Sequence, residues 1–261
     1  MTKALTNPTV QSFVVCGVRI DAFQIDTMVD QVLAWKDRPS GRAVHLCNAY
    51  TLSLALHDDS LRDLLNAADA NLSDGMPLVW IARRLGLSHM RDRVYGPDLM
   101  VATIDRGRTA GLRHFLYGST PEVIAQLETN LRERFPGAEL VGVESGPFRP
   151  LTETEEQELA RRITDARADV VWVGLGTPRQ DLFVDHFREL VPATLIAIGA
   201  AFDFHAGTKR QAPRVVQRLG LEWLFRLITE PRRLWKRYLI GNGRFVWAVL
   251  RRRPKLTTRT V

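Results

Sequence analysis

The sequence has few cysteines, no long apolar run and no visible export signal, and each absence narrows the class of protein. Among 261 residues there are two cysteines, Cys16 and Cys47, too few for a disulfide framework or a zinc cluster and typical of a reducing compartment. No stretch approaches the roughly 20 apolar residues of a transmembrane helix. The start, Met1–Phe13, carries one lysine and no apolar core, so we expect no secretory signal.

Metal and cofactor signatures are also missing. No Asp-x-Asp sequence occurs, and the six histidines show no paired spacing, so we expect neither a metal site nor a metal-bridged diphosphate. The glycine-rich segments match neither the Gly-x-Gly-x-x-Gly dinucleotide fingerprint nor a P-loop. The sequence therefore predicts a protein that uses no cofactor.

Positive charge is concentrated at one end of the chain. The net charge is +7, but His205–Val261 alone holds 15 Lys and Arg against the two acids Glu222 and Glu230. That segment therefore carries +13, and the rest of the chain carries −6. A mildly acidic body with a strongly basic tail indicates an anionic partner, either nucleic acid or an anionic lipid surface.

Residues 1–204 alternate between strand and helix patterns, and several strands are apolar throughout. This alternation predicts one α/β body with a doubly wound, mostly parallel, Rossmann-like sheet. The predicted strands are Arg42–Cys47, Ala70–Ser73, Arg113–Tyr117, Leu140–Val143, Asp169–Val173 and Thr194–Ile198. The predicted helices are Asn48–Leu56, Ser60–Ala68, Met76–Leu85, Pro121–Phe135 and Glu153–Ala166.

Residues 205–261 form a predicted basic, α-helical appendage. Val215–Ile228 is amphipathic at helical spacing, and Arg232–Ile240 and Arg244–Arg253 each mix aromatic residues with arginine. Short basic helices with Trp and Leu suit a segment that lies in a membrane interface. The alternative for Leu219–Ile228 is a helix that packs on the body as part of its core.

Two polar residues follow predicted strands and are candidates for a catalytic or binding role. Asn48 comes directly after the strand that ends at Cys47, where an amide can both donate to and accept from a hydroxyl. Asp74 follows the next strand beside Gly75 and is placed to act as a general base. The simpler alternatives are a helix cap for Asn48 and a cap or turn for Asp74.

Further candidates follow the later strands, because ligands of open α/β sheets bind at the carboxyl ends of strands. The segment Gly174–Asp181, which we call the glycine turn, and the helix start that follows the glycines favour phosphate, and the amide of Gln180 can reach a base or ribose. Arg93 is a candidate contact to a diphosphate, and Asp98 a helix cap. The alternatives are a plain tight connection for the glycine turn and, for Asp203, a side chain that holds its own loop in place. The predicted substrate-binding residues are Arg93, Gly176, Thr177, Pro178, Gln180 and Asp203.

The order and spacing of these segments resemble the WecG/TagA/CpsF family of glycosyltransferases over roughly Phe13 to Arg244. The block Leu219-Gly-Leu-Glu-Trp-Leu-Phe-Arg-Leu-Ile, together with the glycine turn, is the most specific part of the resemblance. The other matching segments are Asn48-Ala, Asp74-Gly, Gly96-Pro-Asp98-Leu, Phe115-Leu-Tyr-Gly118, Gly174-Leu-Gly-Thr-Pro-Arg-Gln180-Asp, Gly199-Ala-Ala-Phe-Asp203, Arg210-Gln-Ala-Pro213 and Thr229-Glu-Pro-Arg-Arg233.

The resemblance implies an inverting, metal-independent enzyme of surface polysaccharide or teichoic acid synthesis. It implies transfer of glucose, N-acetylmannosamine or a uronic acid from a UDP donor to a polyprenyl-diphosphate-linked saccharide. Asp74 falls on the family's proposed base, and Asn48 and Gln180 on site residues. The appendage would dock on the inner face of the cytoplasmic membrane. Its candidate membrane or diphosphate contacts are Arg214, Arg226, Arg232, Arg233 and Arg237.

The chain departs from the family pattern in places. Leu46 stands where some members have threonine, Asp181 replaces a glutamate, and Gln211 disturbs the usual Arg-Ala-Pro. The alternative function is a nucleic-acid-binding α/β protein with a basic, aromatic tail. The apolar helical faces of that tail favour lipid, and the body has no recognition motif, so we expect no nucleic-acid partner. Self-association is left open.

Overall fold

A computed structural model describes residues 9–260 and shows two sheets surrounded by helices. Residues 1–8 belong to the N-terminal segment in which we expect no secretory signal, and they lie outside the described residues. The strands are β1 (Thr9–Val15), β2 (Val18–Asp21), β3 (Arg42–Cys47), β4 (Ala70–Ser73), β5 (Arg113–Gly118), β6 (Glu139–Glu144), β7 (Val170–Gly174), β8 (Thr194–Ala197) and β9 (Lys255–Thr260).

The helices lie between and after these strands. They are α1 (Ile25–Lys36), α2 (Ala49–Ala55), α3 (Asp59–Ala67), α4 (Met76–Arg84), α5 (Gly96–Gly107), α6 (Pro121–Arg134), α7 (Glu153–Asp165), α8 (Arg179–Phe187), α9 (Ala201–His205), α10 (Arg214–Arg218), α11 (Glu222–Thr229), α12 (Pro231–Trp235) and α13 (Asn242–Arg251).

The central sheet has six parallel strands in the order β4-β3-β8-β7-β5-β6, which confirms the predicted doubly wound α/β fold. The predicted strands are all present; β3 and β4 have the predicted bounds, and no end of the other four differs by more than one residue. In β7, the residues Val170–Val173 are fully buried because helices cover both faces of the sheet. The helix predicted after Thr120 begins as expected, since the Thr120 hydroxyl accepts from the Val123 N–H at 3.3 Å and Pro121 opens the first turn.

A second, antiparallel sheet, in the order β2-β1-β9, was not predicted from the sequence. The buried carboxylate of Asp21 joins it to the central sheet, because it accepts from the Asn71 N–H of β4 at 2.9 Å. The last strand of the basic segment, β9, pairs with β1 from Thr9 to Val14. The segment that begins at residue 205 therefore returns to the first strand of the body. The division at residues 204 and 205 stays a prediction.

The prediction of one helix over Val215–Ile228 is wrong, because the chain turns between α10 and α11. Gly220 adopts φ +70°, a left-handed conformation that ends α10 and that side chains other than glycine rarely take. Beyond α11, the chain continues through α12, one π-helical stretch (Lys236–Gly241) and α13. Within residues 9–260, none of the helices is long and apolar enough to cross a bilayer.

The basic segment packs on the body through buried apolar side chains. Phe245 of α13 lies in a cluster with Leu52 and Ala55 of α2 and with Phe13 of β1. Contact with α2 matters for the site, since α2 starts at the end of β3 and presents its first turn to the segment. We refer to residues 205–261 as the appendage. It touches the body through β9, α13, the π-helical stretch and Glu222 of α11.

Ending the chain after Pro254 should destabilise the protein, because the edge of β1 loses its partner along six residues. Each lost backbone hydrogen bond contributes about 0.5–1.5 kcal/mol, so the free energy of unfolding should fall by about 2–4 kcal/mol in urea titration. The charge-matched control is Arg252→Ser/Arg253→Ser, which removes two exposed positive charges next to the strand. Equal unfolding midpoints for the truncation and this control would contradict a stabilising role for β9.

Candidate active site

The candidate active site lies where β3, β4, β7 and β8 end at the same edge of the central sheet. Asn48 follows β3 and Asp74 follows β4, and these two strands are parallel neighbours. The glycine turn follows β7, and Gly199 follows β8. Because parallel neighbours carry their carboxyl ends to one edge, segments far apart in the sequence meet there.

Asn48 both caps a helix and contacts the predicted base. Its Oδ1 accepts from the N–H groups of Tyr50 and Thr51 at 3.1 and 3.3 Å, so the capping alternative is correct. Its Nδ2 donates to Oδ2 of Asp74 at 3.3 Å. The cap fixes which end of the amide faces Asp74, and capping therefore serves to orient the carboxylate.

Asp74 is surrounded by protein in a way that makes it a weak acid. Its Oδ1 accepts from the Gly96 N–H at 3.4 Å, and the cap of α4 is Gly75, so Asp74 is not a cap. Burial raises the pKa of Asp74 from 3.8 to about 6; Arg93 opposes this shift and Glu222 adds to it. Near neutral pH the carboxylate is ionised yet takes up a proton readily, which suits a general base.

Arg93 is engaged by the appendage. Its Nη2 donates to Oε1 of Gln217 at 3.1 Å and to a carboxylate oxygen of Glu222. Its guanidinium carbon lies 3.8 Å from the ring centre of Tyr95, whose hydroxyl donates to Oε1 of Glu222 at 3.0 Å. The guanidinium that we expected at a diphosphate is thus already ion-paired across the junction of body and appendage.

Asp98 does not cap α5 as expected. It lies in the first turn of that helix with an exposed side chain, and the residue at the N-cap position is Tyr95.

The glycine turn is held by the predicted glutamine. Gly176 has φ +78°, which requires glycine, and its N–H donates to Oε1 of the buried Gln180 at 3.0 Å. Asp181, next along α8, points away from the cavity and bonds Nδ1 of His45 at 3.0 Å. This buried contact fixes the start of α8 against β3, so the position that departs from glutamate has a supporting role.

A polar cavity of about 310 Å³ opens at the glycine turn. Gly176, Thr177, Gln180 and Asp203 line it, whereas Pro178 lies at the N-cap position of α8 and does not. The Asp203 carboxylate is paired with Nζ of Lys209 at 2.8 Å, which favours the loop-holding alternative for this residue while leaving it at the cavity wall.

A larger cavity of about 690 Å³ lies between the body and the appendage, and its wall is mainly apolar and aromatic. Both cavities share four lining residues: Asn48, Asp74, Arg226 and Arg237. The orienting amide, the weakly acidic carboxylate and two arginines of the appendage therefore stand where the two cavities adjoin. The aromatic residues of the larger cavity are Tyr50, Trp80, Trp223, Tyr238 and Phe245.

The five predicted arginines of the appendage are placed differently. Arg226 and Arg237 line both cavities and Arg233 lines the polar one, with a 2.6 Å pair to Glu230. Arg237 packs 4.4 Å from the ring centre of Tyr50, and burial lowers the pKa of its guanidinium. Arg214 and Arg232 are exposed and line neither cavity.

Sequence reasoning missed several lining or supporting residues, of which Glu222 had a visible signal. Only Glu222 and Glu230 are acidic in the appendage, and each pairs with an arginine, Arg93 and Arg233 respectively. An acid retained in a strongly basic segment could have indicated such a pair. The other missed residues are Tyr50, Trp80, Tyr95, Lys209 and the exposed Phe148 beside the polar cavity; nothing in their local sequence indicates a site.

The fold and the site define an α/β enzyme with two adjoining cavities and one carboxylate between them. The sequence profile of the glycosyl transferase WecG/TagA/CpsF family matches residues 13–259. A relative from Bacillus spizizenii, an N-acetylglucosaminyldiphosphoundecaprenol N-acetyl-beta-D-mannosaminyltransferase, is 32% identical over 198 residues, which cover 76% of this chain and 74% of the relative. The chain belongs to the WecG/TagA/CpsF family of glycosyltransferases.

Asp74→Asn should stabilise the folded protein above pH 6. The folded state binds the Asp74 proton more tightly than the unfolded chain does, so the ionised carboxylate lowers stability as pH rises from about 4 through 6. The variant should gain up to about 3 kcal/mol of unfolding free energy at pH 8 and almost nothing at pH 3.5. The control is Asp63→Asn at an exposed position. A gain that does not depend on pH would argue against a buried, proton-binding carboxylate.

Proposed function

We propose that the protein transfers a hexose-type sugar from a UDP donor to a polyprenyl-diphosphate-linked saccharide, with inversion at the anomeric carbon. The observation that carries the proposal is that a polar and an apolar cavity adjoin at Asp74. N-acetylmannosamine is the first sugar to test, and an N-acetylglucosaminyl diphospholipid the first acceptor, because the Bacillus spizizenii relative carries both in its name. Glucose and the uronic acids are the alternatives.

The polar cavity suits the donor. Its wall combines the glycine turn, the first turn of α8 and the side chains of Gln180 and Asp203. Backbone N–H groups near a helix start favour phosphate, and the amide and carboxylate can bond ribose or uracil. Leu46, at the position where some members carry a threonine, also lines this cavity and offers no hydroxyl to an acceptor. Donor contacts in this chain would come from Gly176, Thr177, Gln180 and Asp203.

The apolar cavity suits the lipid-linked acceptor. Trp80 is 51% exposed on its wall, and Tyr50 and Trp223 supply further flat surfaces of the kind that pack on sugar rings and isoprenoid chains. The volume of about 690 Å³ is within the usual range for small-molecule sites. An acceptor sugar in this cavity would point its hydroxyl at Asp74.

Asp74 would act as the general base. The acceptor oxygen attacks the anomeric carbon, the bond from that carbon to the UDP oxygen breaks, and the hydroxyl proton passes to the Asp74 carboxylate. The electron pair of the broken bond leaves with UDP. Attack from the apolar cavity with departure into the polar cavity puts nucleophile and leaving group on opposite sides, which accounts for inversion.

Arginines would replace a metal at the leaving diphosphate. Arg226, Arg233 and Arg237 reach the polar cavity from the appendage, and Arg237 has no acidic partner within residues 9–260. Fixed positive groups in a buried site stabilise developing negative charge without reorganisation. Arg93 would contribute only if it left Glu222. The transfer is accordingly proposed to run without a divalent cation.

The appendage would hold the enzyme on the inner face of the cytoplasmic membrane. Its outer side carries apolar side chains with arginines nearby, as expected for an interfacial segment. Three of its arginines line the polar cavity instead, which leaves less outward charge for a nucleic acid than the sequence suggests. The exposed large apolar residues of the appendage are Val215, Leu219, Leu221, Leu224, Ile228, Trp235, Leu239, Ile240, Val246, Trp247, Leu250 and Leu256, of which Val246 also lines the apolar cavity.

Asp74→Asn should lower turnover by about 10²–10⁴, the usual contribution of a general base, while UDP affinity stays within about threefold of wild type. The assay uses a short-chain polyprenyl-diphosphate N-acetylglucosamine with UDP-N-acetylmannosamine, UDP-glucose and their uronic acids, each with and without excess chelator. Asp63→Asn serves as the control. Turnover of the variant within a few-fold of wild type would show that Asp74 is not the base.

The assays with excess chelator test the proposed independence from metal. Loss of wild-type transfer in chelator, restored by magnesium, would contradict it.

Trp247→Ser/Leu250→Ser should weaken binding to anionic liposomes more than about tenfold, because both side chains lie exposed on α13 and would enter the lipid. UDP affinity should not change, since neither residue lines the polar cavity. The control is Leu190→Ser, an exposed leucine of the body. Liposome binding equal to that of the control in co-sedimentation would argue against membrane contact through α13.

A further inference from the structure

Glu222 is a buried acid in a strongly basic segment, and its contacts lie mainly on the body. Glu222 and Arg93 side chains are each 10% exposed and form an ion pair between α11 and the loop before α5. The hydroxyl of Tyr95 donates to the other oxygen of Glu222 at 3.0 Å. Burying a charged pair is costly, so such a pair needs complete partners, and this carboxylate has one on each oxygen.

Arg93 stands between two carboxylates. Its Nη2 is bonded to Glu222 of the appendage, and its Nη1 donates to the backbone carbonyl of Asp74 at 3.4 Å. The guanidinium is therefore already at the residue that carries the base, but it contacts the carbonyl and not the side chain. Because an arginine side chain has several rotatable bonds, a modest rotation would bring it to the Asp74 carboxylate.

We propose that Glu222 is a positioning residue that holds the Arg93 guanidinium away from the Asp74 carboxylate, so that Asp74 can accept a proton only while the appendage is docked. This inference rests on the proposed role of Asp74 as the base. Without Glu222, Arg93 would be a buried cation next to Asp74, and pairing with that carboxylate would be its nearest compensation. A carboxylate paired with arginine is a weaker base.

The electrostatics of the site agree with this geometry. Arg93 lowers the pKa of Asp74, and Glu222 raises it. The other ionisable groups facing Asp74 are Arg226 and Arg237 from the appendage, Tyr95 before α5 and Cys47 at the end of β3. Loss of Glu222 would remove one negative neighbour and release one positive one, and both changes lower the pKa of Asp74.

The proposed arrangement links base strength to docking. An enzyme whose appendage is lifted from the body would bind UDP-sugar in the polar cavity next to a disabled base. Water that entered the open cavity would then be deprotonated poorly, so hydrolysis of the donor in solution would be suppressed. Seating of α11 returns Glu222 to Arg93 and frees the carboxylate at the moment when the acceptor cavity is also complete.

The test is the titration of Asp74 in full-length Glu222→Gln by carbon-13 NMR of aspartate carboxyl groups, with the signal assigned by its absence in Asp74→Asn. The pKa of Asp74 should fall by at least about one unit, as expected for a carboxylate that gains an arginine partner. The double variant Arg93→Met/Glu222→Gln should return the pKa to the wild-type value or above, because the released cation is gone. A double variant that titrates like Glu222→Gln would overturn the inference.

Two controls separate charge from packing. Glu222→Asp keeps the negative charge, so the pKa of Asp74 should stay within about half a unit of wild type. Glu230→Gln removes the other acid of the appendage, which pairs with Arg233, and should leave Asp74 unchanged. An unaltered pKa in Glu222→Gln would also overturn the proposal. The titration needs neither donor nor acceptor, so a wild-type protein without transferase activity would contradict the proposed function alone.

Discussion

Parallel pairing of β4, β3, β8 and β7 is the constraint on which the site depends. Each of these strands ends at the same edge of the sheet, and one segment of the candidate site follows each strand. Asn48 and Asp74 are 26 residues apart in the sequence but lie side by side because β3 and β4 are neighbours. The glycine turn after β7 lies at the same edge, because β8 pairs with both β7 and β3. A different strand order would scatter these residues without altering any single element.

The appendage lines part of both cavities, and its arginines differ in where they lie. Arg226, Arg233 and Arg237 turn inward to the cavities, while the outward side carries most of its exposed apolar residues. A sequence count of +13 does not separate these groups. The segment is therefore not a uniformly basic tail, because three of its arginines line the polar cavity while many of its large apolar side chains are exposed.

Features with a local cause could be predicted from the sequence, and features with a distant cause could not. Apolar strands, the Thr120 cap and the Asn48 cap depend on neighbouring residues, and the structure confirms them. The helix predicted over 215–228 failed at Gly220, whose left-handed conformation overrides a continuous amphipathic pattern. The small sheet was not predicted, because β1 and β9 form it by pairing with each other from opposite ends of the sequence. The ion pair of Glu222 was not predicted, because its partner Arg93 is more than a hundred positions away and the local sequence shows only an acid within a basic segment.

The pairing of β1 with β9 has a consequence for how the protein comes into being. The two strands are roughly 240 residues apart, and contacts of such long range form late in folding. During synthesis, β1 leaves the ribosome early, and the edge that pairs with β9 stays unpaired until β9 emerges. The central sheet can assemble during this time, but the end of the appendage is not yet paired with β1. A nascent chain would therefore complete the small sheet, and fix the end of the appendage against β1, only after translation finishes.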